Sequence, residues 1–192
     1  MEEKLKKDQT YIFCSNHPST FDILILLLLP RPVCFIGAAW VMRVPFMGWQ
    51  FADIHIPINR DSLLSKYKGM KEAFSYLRQG RDLLVLPEGT TSSRTPTRLL
   101  PLKRGAFKIA IETGTPIVPM TLPYNWLATS SADPNIPFEK FQILIHAPIE
   151  TKGLTTADLP RLKDQVKDVI EAPLIKLFPE KEKAERADAG KK

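Results

Sequence analysis

Cysteine, histidine and unbroken apolar sequence are all scarce in this chain of 192 residues. Its two cysteines, Cys14 and Cys34, both sit in apolar runs. They are too few for the disulfide framework of a small secreted domain or for a four-ligand zinc site, and read as buried reduced thiols. The three histidines, His17, His55 and His146, are scattered without ligand spacing, so no metal is expected. The apolar run 23–29 stops at Pro30-Arg31-Pro32, and the aromatic-rich stretch 33–58 is interrupted by Arg43, Gln50 and Asp53. Neither reaches the roughly 20 residues that crossing a bilayer requires, which leaves contact with one leaflet open. No secretory signal, internal repeat or dividing linker is visible.

What is present suits one packed domain: 44% of residues are hydrophobic, enough to build a core at this length. The net charge of +6 is concentrated. Between Arg60 and Lys108 stand eleven basic residues against four acidic ones, and that local excess attracts phosphate on a small molecule, a lipid head group or a surface. For the 66–81 portion a solvated helix face is the competing reading. No nucleic-acid recognition motif accompanies the charge.

Hydrophobic periodicity predicts strands over 11–15, 33–36, 53–58, 82–86, 117–122 and near 141–146. It predicts helices over 19–29, 45–52, 63–79 and 105–112, and from a capping box at Thr155 and Asp158 to Phe178. Residues 92–101 and 123–137 read as surface loops. Alternation of strands and helices predicts an α/β domain over 1–178, a largely parallel mixed sheet flanked by helices on both faces. A charged, frayed tail is expected over 179–192.

The pair His17 and Asp22 invites a chemical reading. With a helix starting near Ser19, a reversal at Pro18 brings the carboxylate to the imidazole. It fixes the tautomer and leaves the other ring nitrogen to take a proton. Alone, the pair is equally a loop histidine and a first-turn acid. Arg60, after a strand, offers a planar fork for phosphate, or a partner for Asp61. Glu88 and Gly89 fall where a buried strand ends, the usual ligand edge of an α/β sheet. Glu88 serves there either acceptor hydroxyls or the loop itself.

The ordered set resembles a known family. Asn16-His17-Pro18-Ser19-Thr20-Phe21-Asp22 is similar to the H-x-x-x-x-D motif of glycerolipid acyltransferases of the 1-acylglycerol-3-phosphate acyltransferase type. Pro57-Ile58-Asn59-Arg60 matches the second motif, with Pro57 in place of the usual aromatic. Pro87-Glu88-Gly89-Thr90 matches the third in full. Lys103-Arg104-Gly105 matches a basic segment, and Pro116-Ile117-Val118-Pro119 the fourth motif.

The resemblance implies transfer of a fatty acyl group from acyl-CoA or acyl-carrier protein to the hydroxyl of a lysophospholipid, most directly 1-acylglycerol 3-phosphate, with no further cofactor. His17 and Asp22 would be catalytic; Arg60, Glu88, Gly89, Thr90, Lys103 and Arg104 would bind substrate. Glycerol 3-phosphate or another lyso-lipid is the alternative acceptor. A non-catalytic module binding anionic lipid is the alternative of another class. Peripheral or monotopic attachment to the cytoplasmic face of a membrane is expected through residues 23–51.

Overall fold

The computed structural model describes residues 5–19, 22, 29, 31–39, 55–91, 97–129 and 141–183. Six strands form one sheet: β1 (Ile12–Ser15), β2 (Val33–Ala38), β3 (His55–Ile58), β4 (Asp82–Val85), β5 (Ile117–Thr121) and β6 (Leu144–Ile145). Their order is β3-β2-β4-β1-β5-β6. The first five run parallel and β6 pairs antiparallel with β5. The central strands are short runs without polar alternation, as expected where both faces are covered. β1 sits between β4 and β5, with Ile12 opposite both Leu83 and Ile117. The chain leaves β1 toward β2 on one side and leaves β4 toward β5 on the other, which opens a crevice at their carboxyl ends.

Three helices are described: α1 (Leu63–Arg78), α2 (Gly105–Thr113) and α3 (Leu159–Leu177). All three pack on one sheet face, where Ala73, Phe107, Leu162 and Val166 meet Cys14, Ile56 and Leu83. The opposite face gathers Tyr11, Phe13, Phe35, Leu84, Met120 and Leu122, together with Leu5 and Leu29. The helices expected over 19–29 and 45–52 lie outside the described residues, apart from helical Asp22 and the buried Leu29.

Local chemistry explains the element ends. Ser62 caps α1 by accepting the Ser65 amide at 3.2 Å, and Gly114, in the left-handed region at φ 63°, ends α2. Gly69 brings α1 close to β3: a Cβ there would stand 3.0 Å from Ile58 side-chain carbons. The capping box at Thr155 and Asp158 is present, and three bonds to its carboxylate from Thr155 and Arg161 hold the Asp158 pKa low. Pro173 lies inside α3, where its missing N–H disturbs the carbonyls one turn back. The Thr121 hydroxyl donates to the Ile170 carbonyl at 3.0 Å. His146 Nε2 stands 2.8 Å from that same hydroxyl.

Two expectations change. The region after β5 is no surface loop at its start: residues Asn125–Thr129 form a 3-10 turn in which Asn125 and Trp126 are buried. The packed chain also passes Phe178, because residues 179–183 are helical and Glu182 is buried.

Candidate active site

Strand β1 ends in a buried Asn16 whose side chain spans to the end of β5. Its Oδ1 accepts the Leu122 amide at 2.8 Å and its Nδ2 donates to the Leu122 carbonyl at 3.1 Å. That double bond holds the chain as it leaves the sheet, and His17 follows. The imidazole Nδ1 lies 2.9 Å from Asp22 Oδ2. A carboxylate only accepts, so Nδ1 carries the hydrogen and the lone pair of the neutral ring falls on Nε2. Asp22 is fully buried, and the same Oδ2 also accepts the Ser19 amide at 2.8 Å. Its Oδ1 accepts Asn125 Nδ2 at 2.8 Å.

The strand β4 loop contributes differently from its expected role. Glu88 is buried, and its oxygens accept two backbone amides, that of His17 at 2.8 Å and that of Leu100 at 2.8 Å. The carboxylate thus organises the loops rather than standing open to acceptor hydroxyls. Gly89 closes the turn by donating to the Leu86 carbonyl at 3.0 Å with φ 73°, a conformation glycine adopts without penalty.

Beside this loop lies a cavity of about 500 Å³. Ile36, Ile58 and Ile109 contribute apolar lining, and Arg60, Lys66 and Lys103 supply three cations; Gly89 and the first turn of α2 also border it. No side chain caps the α2 N-terminus, so its positive dipole end adds to the three cations. Such a chamber suits a molecule with an anionic head and an apolar body. Glu88 links it to the dyad, since Pro87 and Gly89 line the cavity while Glu88 between them holds the His17 amide.

The structure therefore brings together His17, Asp22, Glu88, Gly89, Arg60 and Lys103. Thr90 and Arg104 are exposed and do not line the cavity; Arg104 is the α2 N-cap, its carbonyl accepting the Lys108 amide at 2.9 Å. Lys66 and Asn125 were not marked by the sequence. Lys66 belongs to a basic helix face with no local signal separating it from its neighbours, and the turn holding Asn125 reads as loop. The thiols are not nucleophiles, because burial pushes Cys14 up to about 12 and Cys34 up to about 11. Among the described residues no cluster of three His, Cys, Asp or Glu could hold a metal ion.

Comparison with known proteins gives a consistent picture. A family model described as Acyltransferase matches residues 1–123. The chloroplastic 1-acyl-sn-glycerol-3-phosphate acyltransferase BAT2 of Brassica napus is 34% identical over 123 residues, covering 64% of this chain and 35% of the relative. The 1-acyl-sn-glycerol-3-phosphate acyltransferase of Saccharomyces cerevisiae is 32% identical over 176 residues, covering 87% of this chain and 56% of its own. The chain thus spans between about a third and just over half of the length of the curated relatives it matches. In fold it is similar to the crystal structure of the 1-acyl-sn-glycerophosphate acyltransferase PlsC from Thermotoga maritima. The TM-score is 0.71 at 23% identity, over 92% of this chain and 70% of the other.

Proposed function

The chain belongs to the acyltransferase family, and from that premise we propose that it moves a fatty acyl group from a thioester donor, acyl-CoA or acyl-carrier protein, to the free hydroxyl of a lysophospholipid in phospholipid synthesis. The supporting observation is the His17–Asp22 pair joined through Glu88 to a chamber with an apolar lining and three cations. A phosphate-bearing acceptor such as 1-acylglycerol 3-phosphate fits Arg60, Lys66 and Lys103. The names of the relatives point the same way.

In the reaction, His17 Nε2 takes the proton of the acceptor hydroxyl as its oxygen attacks the thioester carbonyl. The tetrahedral intermediate collapses with cleavage of the C–S bond, and the leaving thiolate recovers the proton from the imidazolium. The products are an ester and a free thiol. Asp22 steadies the ring while it is charged. The thioester is already activated, so the reaction draws on no other cofactor. Transfer is direct, since the Cys14 thiol, pushed up to about 12 by burial, supplies no thiolate near neutral pH.

The acceptor resides in a membrane, and peripheral contact at the cytoplasmic face is part of this reading. Among the described residues no helix is long and apolar enough to cross a bilayer. Residues 23–51, expected to touch it, lie largely outside the described residues. Leu63, Leu64 and Tyr67 are 82%, 62% and 54% exposed beside Lys66, Lys68 and Lys71, an apolar and cationic combination suited to anionic lipid.

The test is purified protein with labelled acyl-CoA, labelled acyl-carrier protein and a panel of acceptors: lysophosphatidate, glycerol 3-phosphate and an uncharged monoacylglycerol. We expect thiol release and ester formation with lysophosphatidate, reduced at least about 10²-fold in His17→Ala. No thioester consumption with any acceptor, combined with intact binding to anionic vesicles, would replace the enzyme by a lipid-binding module.

A further inference from the structure

The geometry points to Asn125 as a positioning residue for the reaction, the donor that holds the Asp22 carboxylate where His17 needs it. The inference rests on the acyl-transfer reading and names a working part beyond the motif residues.

Asp22 accepts three hydrogen bonds from two directions. Oδ2 faces His17 Nδ1 and the Ser19 amide, at 2.9 and 2.8 Å, both close in sequence. Oδ1 faces Asn125 Nδ2 at 2.8 Å, from a residue 103 positions away. Asp22 and Asn125 are both fully buried, so solvent does not fill in for a missing donor. The amide orientation is dictated by chemistry: turned over, two acceptors would oppose each other.

Asn125 accepts a cost for this contact. Its own Oδ1 is buried without a hydrogen-bond partner among the described residues. The turn carrying it is held independently. Asn16 fixes Leu122 from one side, and Trp126 packs edge-on against Phe178 at 5.7 Å from the other. The donor is thus delivered on a rigid support, as a positioned site requires. Among the described residues, the ionisable groups around this cluster are His17, Glu88 on the His17 amide, Tyr124 next to Asn125, and Lys181 over the Trp126 ring at 4.3 Å.

Two substitutions separate positioning from packing. Asn125→Ala removes the donor, and we expect kcat to fall about 10- to 100-fold with KM little changed, a part of the roughly 10²–10⁴ a positioned base supplies. Asn125→Asp keeps the shape but sets two buried carboxyls against each other, so that they share one proton and release it only at raised pH. While that proton is present its O–H replaces the lost amide donor. Activity of Asn125→Asp relative to the parent should therefore recover as pH is lowered from about 9 to about 7, while Asn125→Ala stays low throughout. Melting temperatures of Asn125→Asp over the same pH range separate the two readings, since a merely structural role would move stability and activity in parallel.

A readout without turnover completes the test. With labelled histidine, nitrogen NMR of the three imidazoles follows His17 directly, and Asn125→Ala should shift the Nδ1–H signal as the Asp22 carboxylate loses its fixed position. Unchanged kcat with an unchanged His17 Nδ1–H signal in Asn125→Ala would overturn the proposal. So would an Asn125→Asp profile parallel to the parent's. Should Asn125→Ala not fold, the isosteric Asp variant carries the decision. If the parent itself transfers no acyl group, the acyl-transfer reading fails, while the NMR arm still decides what Asn125 does to His17.

Discussion

His55 opens β3 with its ring stacked on Phe35 at 5.4 Å, and burial holds its pKa below 6.5, against a backbone hydrogen bond with Gly37 that favours the charged form. The folded state therefore takes up the proton less readily than the unfolded chain. Stability is full above about pH 6.5 and is lost as pH falls below it, by no more than about 1.4 kcal/mol per pH unit. Denaturant unfolding at pH 7.5 and pH 5.5 should show that loss in the parent and a smaller one in His55→Gln. At the same scale, Glu88→Gln presents an amide N–H₂ to one of the two backbone donors that Glu88 now accepts. Its kcat should fall about tenfold or more, with the affinity for phosphate-bearing acceptor less affected. Kinetics at saturating donor would separate the two. The His17–Asp22 pair was legible in the sequence because only four residues separate the two. The loop-organising role of Glu88 was legible only as one of two options, since its partners at positions 17 and 100 meet it through the fold.

At the scale of elements, strands and helices were read within a residue or two wherever apolar runs were bounded by glycine or proline, as at β4 and at α2 before Gly114. The segment after β5 was misread because Pro123-Tyr124-Asn125 carries turn chemistry in its letters. What buries it is remote: Asp22 on one side and Phe178 on the other. Helix α1 shows the reverse case, a helix recognised from its period whose outward face holds more than solvated charge. Leu63 and Leu64 are its most exposed large apolar side chains, and neither lines the cavity. Leu63→Ser with Leu64→Ser should reduce co-sedimentation with anionic phospholipid vesicles about tenfold or more. Thermal unfolding should hardly move. Equal vesicle binding by parent and variant would remove α1 from the membrane-facing surface.

Across the whole molecule, the expected frayed tail contributes to the packed structure. Arg98 bonds to Glu171 at 3.0 Å and also to Glu182, and those bonds push its pKa further up. Thr97 bonds to Glu182 at 3.1 Å and the Leu99 amide to Glu171 at 2.7 Å. The next residue, Leu100, bonds to Glu88. One strap of four residues thus joins the site loop to the C-terminal helices. Removing Arg98 takes its guanidinium from buried Glu182 and leaves Glu171 with Lys167 at 3.7 Å, so Arg98→Met should cost about 1.5–3 kcal/mol, moderated by its partial exposure to solvent. A denaturant midpoint shift checks it, and kcat should fall as the strap loosens. Ending the chain after Phe178 should have a similar effect.

That strap also sets an order in time. A ribosome delivers His17 well before Glu182, with synthesis proceeding at about 5–20 residues per second. Central strand β1 waits for β4 and β5 before it has both neighbours, and Glu88 waits for Leu100, whose neighbours Thr97, Arg98 and Leu99 are moored to Glu171 and Glu182. A growing chain therefore holds the His17–Asp22 segment before the residues that moor the Glu88 loop have been made.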